Sequence, residues 1–188
     1  MKKILMPIGD ASETMDTFYP YLRLPEDGYE VVLAGLEARL YHTVLHEIPP
    51  NSDVPWDMTQ ERPGYHLEAS IAFADLKSED FAGTFISGGR APEFIRYDEN
   101  LRRVIKEIAD AGKPIACICH GIEILTAADV IQGKRVTTVP KCAMDAEQGG
   151  ATYTGDPWIV DGNLVTGRGW QDNMEVCREF VRLLKAQT

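Results

Sequence analysis

Residues 114–125 read PIACICHGIEIL. Ile115 to Cys119 form a short apolar run of the kind that builds a buried strand, and from Gly121 to Val130 the apolar residues recur at helical spacing. Only Cys119, His120 and Gly121 remain to turn the chain between the two. Such a sharp strand-to-helix junction lifts its first residue above the sheet edge, as in a nucleophile elbow, and Gly121 permits the close approach. A thiol held at a helix N-terminus feels the positive end of the helix dipole, which lowers its pKa from about 8.5 to roughly 3.5–7.5. Cys119 is therefore the candidate nucleophile. Cys117, two residues earlier inside the strand, reads as inert packing.

Working outward, KKILMPI is a short apolar run that stops at Gly9-Asp10, and SETMDTFYPYLRL then repeats apolar residues at helical spacing. YEVVLAGLE, FAGTFISGG, PIACIC and KRVTTV are further β-rich runs. The helix-patterned ENLRRVIKEIADAG and GIEILTAADVIQG fall between them, with Gly112 and Gly133 as candidate C-caps. This alternation, with near-continuous apolar strands, predicts an α/β fold: a mostly parallel sheet with helices on both faces and ligand chemistry at the strand C-terminal ends. WIVDGNLVTGRG predicts a β-hairpin turning at Asp161-Gly162, followed by a last amphipathic helix in DNMEVCREFVRLLK. Residues 37–66 read as one long irregular loop or insertion, proline-rich and holding three of the four histidines. His42, His46, Trp56 and Tyr65 within it read as anchors of that loop rather than as pocket lining.

A chain of 188 residues, 44% hydrophobic, with no break in composition, predicts one domain spanning 1–188. Its formal charge of −10 argues against nucleic acid, because phosphate recognition needs a basic footprint. The apolar segment of MKKILMPIGDASE is too short for a signal peptide, and no run approaches the roughly 20 apolar residues that span a bilayer. A cytoplasmic protein without membrane contact is expected. Four cysteines are too few for a disulfide scaffold, and a reducing compartment keeps them as thiols. Cys117-x-Cys119-His120 lacks the spacing of structural zinc sites, so no metal is expected. PIGDASETMD has one glycine and no G-x-G-x-x-G, so no nucleotide cofactor is expected either.

Other candidates surround the thiol. Asp10, Glu13 and Asp16 sit at the first strand-to-helix junction, where Glu13 and Asp16, three apart, are expected to share one face of the first helical turn. Acids there also suit the helix dipole without any catalytic role. Gly88-Gly89 ends the strand FAGTFIS, and the Gly89 amide, with that of His120 or Gly121, is positioned by this reading to form an oxyanion hole.

Taken together, FYPYLRLPEDGYEV, FISGGRAPEFIRYDENL, GKPIACICHGIEIL, GKRVTTVP and VDGNLVTGR resemble the PfpI/ThiJ family of the class I glutamine amidotransferase-like superfamily, in family order and over nearly the whole chain apart from 37–64. The resemblance implies a flavodoxin-like three-layer α/β/α sandwich with Cys119 as nucleophile and His120 beside it. It also implies that Glu93 of GGRAPE reaches across a subunit interface to orient the histidine of another chain, so that the active site needs a homo-oligomer. The family's acid near the thiol falls on Asp16, one methylene shorter than the usual glutamate, with Glu13 at a second acidic position. Val139 stands where relatives often carry tyrosine.

The activities implied are those of a cofactor-independent cysteine hydrolase or lyase of the glyoxalase III, deglycase or peptidase kind. Its substrate would be a small-molecule carbonyl or a peptide. The alternative is a non-enzymatic stress-related redox sensor or chaperone-like protein that uses the same cysteine. A glutamine amidotransferase is excluded, because no histidine follows His120 to complete its triad.

Overall fold

The computed structural model describes residues 1–47 and 60–187. In chain order the elements begin with β1 (Lys2–Pro7), β2 (Ser12–Glu13), α1 (Thr14–Glu26), β3 (Tyr29–Gly35), β4 (Leu40–Glu47), β5 (Gln60–Glu68), β6 (Ile71–Ala72) and β7 (Phe81–Ile86). They continue with α2 (Ala91–Ile95), α3 (Glu99–Asp110), β8 (Ile115–Ile118), α4 (Ile122–Ala127), β9 (Arg135–Val136), α5 (Ala143–Gln148), β10 (Thr152–Tyr153), β11 (Trp158–Asp161), β12 (Leu164–Gly167) and α6 (Asn173–Ala186).

Seven strands form the main sheet in the order β11-β12-β8-β7-β1-β3-β6. Every pairing is parallel except β11 with β12, which is the expected hairpin; Gly162 takes φ 63° in its turn. β8 pairs with β7 on one side and β12 on the other, and all four of its residues are buried, which explains the unbroken apolar run Ile115–Ile118. Helices cover the sheet. α3 turns Leu101, Val104, Ile105 and Ile108 inward at helical spacing and is capped by Asp98, whose carboxylate accepts from the Leu101 amide at 2.8 Å. α6 packs on β8 and β12, and its Phe180 meets Phe85 of β7 edge to face at 5.9 Å. Among the described residues no helix is long and apolar enough to cross a membrane.

Three local expectations need correction. The stretch read as one irregular loop contains β4 and β5, an antiparallel ribbon that joins β2 in a second sheet. Its pattern was masked by a register shift between His42 and Val44, which breaks the strict alternation a strand normally shows, and by outward Leu40, 57% exposed. Trp56 lies outside the described residues. KRVTTV supplies only the two-residue β9, which pairs with β10 apart from the main sheet. α4 is six residues long, with Asp129 at φ 57° soon after its end, so Gly133 shapes a later turn and caps no helix; Gly112, at φ 67°, does follow α3 directly.

Candidate active site

At the end of β8 the backbone passes from the extended Ile118 to Cys119 at φ 55°, then through a single tight turn into α4. A non-glycine residue held there costs roughly 1–3 kcal/mol and persists only where its surroundings fix it. They do so here. The Thr138 hydroxyl donates to the Cys119 carbonyl at 2.6 Å, and Gly121 lies so close to the end of β7 that a methyl on it would come 2.9 Å from the Ile86 carbonyl and 3.0 Å from that of Ser87. The elbow is thus built from the residues that the sequence motif contains. Val139 is fully buried beside it.

The acids stand on the neighbouring junction, but not as a pair on one helix face. Glu13 ends β2 and caps α1, its Oε2 accepting from the Asp16 amide at 2.6 Å. Burial pushes its carboxyl up to about 7, against the lowering effect of amide hydrogen bonds from Asp16, His46, Met15 and Thr14. Asp16 is 0% exposed, and neither oxygen makes a well-formed hydrogen bond; the groups that face them are the Cys119 thiol and the Gly88 amide. Burial, and then the charge of Glu13, hold the Asp16 carboxyl well above the usual range. Asp10 belongs elsewhere: it pairs with Arg39 at 2.7 Å and His42 Nδ1 at 2.8 Å and ties β4 to the first junction.

Gly88 makes the encounter of acid and thiol possible. A methyl at its Cα would fall on the Cys119 Cβ, 2.5 Å from Asp16 Oδ2 and 2.9 Å from Sγ. Gly88→Ala is accordingly expected to cost about 1–3 kcal/mol through overpacking. Thermal unfolding should show the loss as a Tm lower by several degrees. An unchanged Tm would refute this account of the glycine.

The thiol itself departs from the simple dipole expectation. Cys119 is 1% exposed, and burial, followed by the Asp16 charge, pushes its pKa well up, while the amides of Gly89 and His120 pull it down. The sequence argument considered the dipole without the desolvation. The charge that opposes the thiolate is that of Asp16, so a proton on that carboxyl favours ionisation of the sulfur. The amide beside Gly89 that turns to sulfur is that of His120, whereas Gly121 serves the close packing against β7. Gly89, at φ 85°, is pinned between Ala11 and Glu13. Cys117 is buried and its thiol is pushed up by desolvation, in keeping with a packing role.

His120 Nδ1 lies 3.3 Å from Cys119 Sγ, although the two are neighbours in sequence. Burial, with His46 next in effect, lowers its pKa to about 4, so it is a neutral imidazole at pH 7. The His46 ring is 6.5 Å away, and its Nε2 lies 2.9 Å from Glu61 Oε2. Arg90 donates to both Glu61 oxygens at 2.7 Å and, as the largest cause, holds that carboxyl near 2. His46, Glu61 and Arg90 were not read as site residues: the ribbon brings His46 to His120 from far along the chain, with Glu61 holding His46 and Arg90, at the start of α2, holding Glu61. Within the same stretch the Tyr65 ring meets Phe18 edge-on at 5.9 Å but is 73% exposed, so burial does not fix it, and His42 binds Asp10. Glu93 is partly buried on α2, near Glu123 and Cys142 of its own chain.

The sequence profile of the DJ-1/PfpI family matches residues 2–183. A deglycase of Pyrococcus abyssi is 33% identical over 183 residues, covering 97% of this chain and 99% of its own. The protein/nucleic acid deglycase 2 of Escherichia coli is 34% identical over 190 residues, covering 98% and 99% respectively. Among solved structures, a two-domain protein of Anabaena variabilis with DJ-1/ThiJ/PfpI-like and ferritin-like domains superposes with a TM-score of 0.83 at 26% identity, over 98% of this chain and 48% of that one.

Proposed function

Since this chain belongs to the DJ-1/PfpI family, we propose that it is a cofactor-independent cysteine hydrolase or lyase of the deglycase and glyoxalase III kind, acting on small α-oxoaldehydes or their adducts. The observation that carries this reading is the strained Cys119, at φ 55°, facing the buried Asp16 carboxyl, whose pKa is raised, and the neutral His120 3.3 Å away. Its burial, 1% exposed, favours a small aldehyde over a peptide chain, so the peptidase reading ranks lower.

In this mechanism the neutral His120, whose Nδ1 lies 3.3 Å from the sulfur, takes the Cys119 thiol proton as sulfur bonds to the aldehyde carbon, and the carbonyl electron pair moves to oxygen, which takes the proton of Asp16; His120 gives its proton back to sulfur when the thioester is hydrolysed. The Asp16 carboxylate then removes the hydrogen from the carbon bearing sulfur. The electron pair shifts to give an enediol, and reprotonation at the neighbouring carbon leaves a thioester. Water hydrolyses the thioester to a 2-hydroxy acid and restores the thiol. No external oxidant is required. The Gly89 and His120 amides, which face sulfur at rest, help hold the developing negative charge, and Glu13 assists Asp16. The same reading has the chain self-associate, with Glu93 of one subunit oriented toward the histidine of another.

Incubation with methylglyoxal tests the proposal. Its loss with one equivalent of lactate formed per aldehyde consumed, over many turnovers, is expected. Stoichiometric modification of the thiol without turnover would overturn it in favour of a redox sensor.

A further inference from the structure

We propose that His46 is a specificity residue: its ring nitrogen Nδ1 accepts a hydrogen bond from a hydroxyl of the substrate. The chain then favours α-oxoaldehydes that carry a hydroxyl on the carbon beyond the ketone over methylglyoxal, which has only a methyl group there. This assignment rests on the aldehyde chemistry given above and narrows its substrate class.

His46 is 8% exposed, and its Nδ1 is buried without a hydrogen-bond partner among the described residues. The other ring nitrogen is committed, because Nε2 lies 2.9 Å from Glu61 Oε2. That carboxyl, gripped by Arg90 and held near 2, is ionised at pH 7 and can only accept, so Nε2 carries a proton. In the neutral ring this leaves a bare lone pair at Nδ1. An unpaired buried acceptor costs free energy and is uncommon in folded proteins. Only a donor satisfies it, and neither a ketone nor a methyl group is one.

The ring stands where a bound aldehyde can meet it. His46 lies near the end of β4, its amide faces the Glu13 carboxyl, and its ring is 6.5 Å from that of His120, centre to centre. His120 Nδ1 in turn lies 3.3 Å from Cys119 Sγ. A substrate joined to sulfur through its aldehyde carbon extends past His120, and a hydroxyl two carbons further along reaches the next ring. Neither nitrogen of His120 takes part, so the contact assigned to Glu93 of another subunit is untouched. A site built to bind a hydroxyl discriminates against the analogue that lacks it, because the buried acceptor is then left unpaired.

Initial rates with hydroxypyruvaldehyde and with methylglyoxal test the assignment. Wild type is expected to show a kcat/KM about tenfold or more higher for the hydroxylated aldehyde. His46→Leu should lower that ratio about 10–100-fold by losing activity on hydroxypyruvaldehyde, while activity on methylglyoxal changes less than about threefold. His46→Asn, whose side-chain oxygen can stand in for Nδ1, should keep part of the preference. Circular dichroism checks folding, and if the variants misfold the wild-type ratio decides alone. Equal kcat/KM for the two aldehydes in wild type, or equal losses on both in His46→Leu, overturns the assignment; the second result marks a histidine that only supports the fold. A wild type that consumes neither aldehyde overturns the chemistry beneath it, which the substrate pair separates from a failure at His46.

Discussion

Cys119→Ser should lower methylglyoxal turnover at least about 1,000-fold, a loss of about 4 kcal/mol of transition-state stabilisation. Serine is nearly the same size, so the φ 55° turn and the Thr138 hydrogen bond to the backbone carbonyl survive, and the change isolates the chemistry of the sulfur. A hydroxyl has neither the acidity nor the nucleophilicity of a thiol, and the neutral His120 is a poor base with which to activate it. Cys177→Ser provides the control: that thiol sits on α6, and burial raises its pKa to about 12, outside any catalytic range. Initial rates for the three proteins, with folding checked by circular dichroism, decide the matter. A Cys119→Ser enzyme within tenfold of wild type removes this sulfur from the mechanism.

The second large effect is expected at Asp16. Asp16→Asn keeps the shape but removes the proton donor and acceptor, and general acid–base catalysis of this kind contributes about 100- to 10,000-fold. The same change has a signature in stability. The native carboxyl is raised above its unfolded value of 3.8, so the stability tied to its neutral form is complete below that pH and is lost as pH climbs toward the raised native value. The variant escapes this loss. Its Tm should therefore gain on that of wild type as pH rises from about 5 to about 9, while Glu13, raised to about 7 by burial, leaves a residual slope in both proteins. Parallel Tm profiles would show that Asp16 is not the buried acid described above.

What the sequence disclosed follows from the range of each interaction. The elbow was legible because strand, turn and helix are consecutive, and each carries its own local pattern. The hairpin at Asp161-Gly162 was legible for the same reason. α4 ends at Ala127, earlier than its periodicity suggested, and Asp129 takes φ 57° just beyond its cap, a backbone turn that no apolar pattern encodes. His46 and Cys142 approach His120 only through folding, and no spacing rule encodes that encounter. Burial was the other hidden quantity: the dipole at the elbow is local, whereas the desolvation that opposes thiolate formation depends on the whole surrounding core. Asp16 faces the sulfur, whereas Glu13 caps α1, a division of roles that depended on where β2 ends.

The β4–β5 ribbon bears on how copies of this chain meet. β5 is mostly exposed along its length and among the described residues pairs with β4 alone, so its outer rim offers backbone groups to an incoming extended segment. Pro63, which lacks an amide hydrogen, and the charged Glu61, Arg62 and Glu68 make that rim a poor template. The main sheet is similarly blunt at one end, where β6 is two residues long. Fibrous growth by edge-to-edge annealing is discouraged at both places.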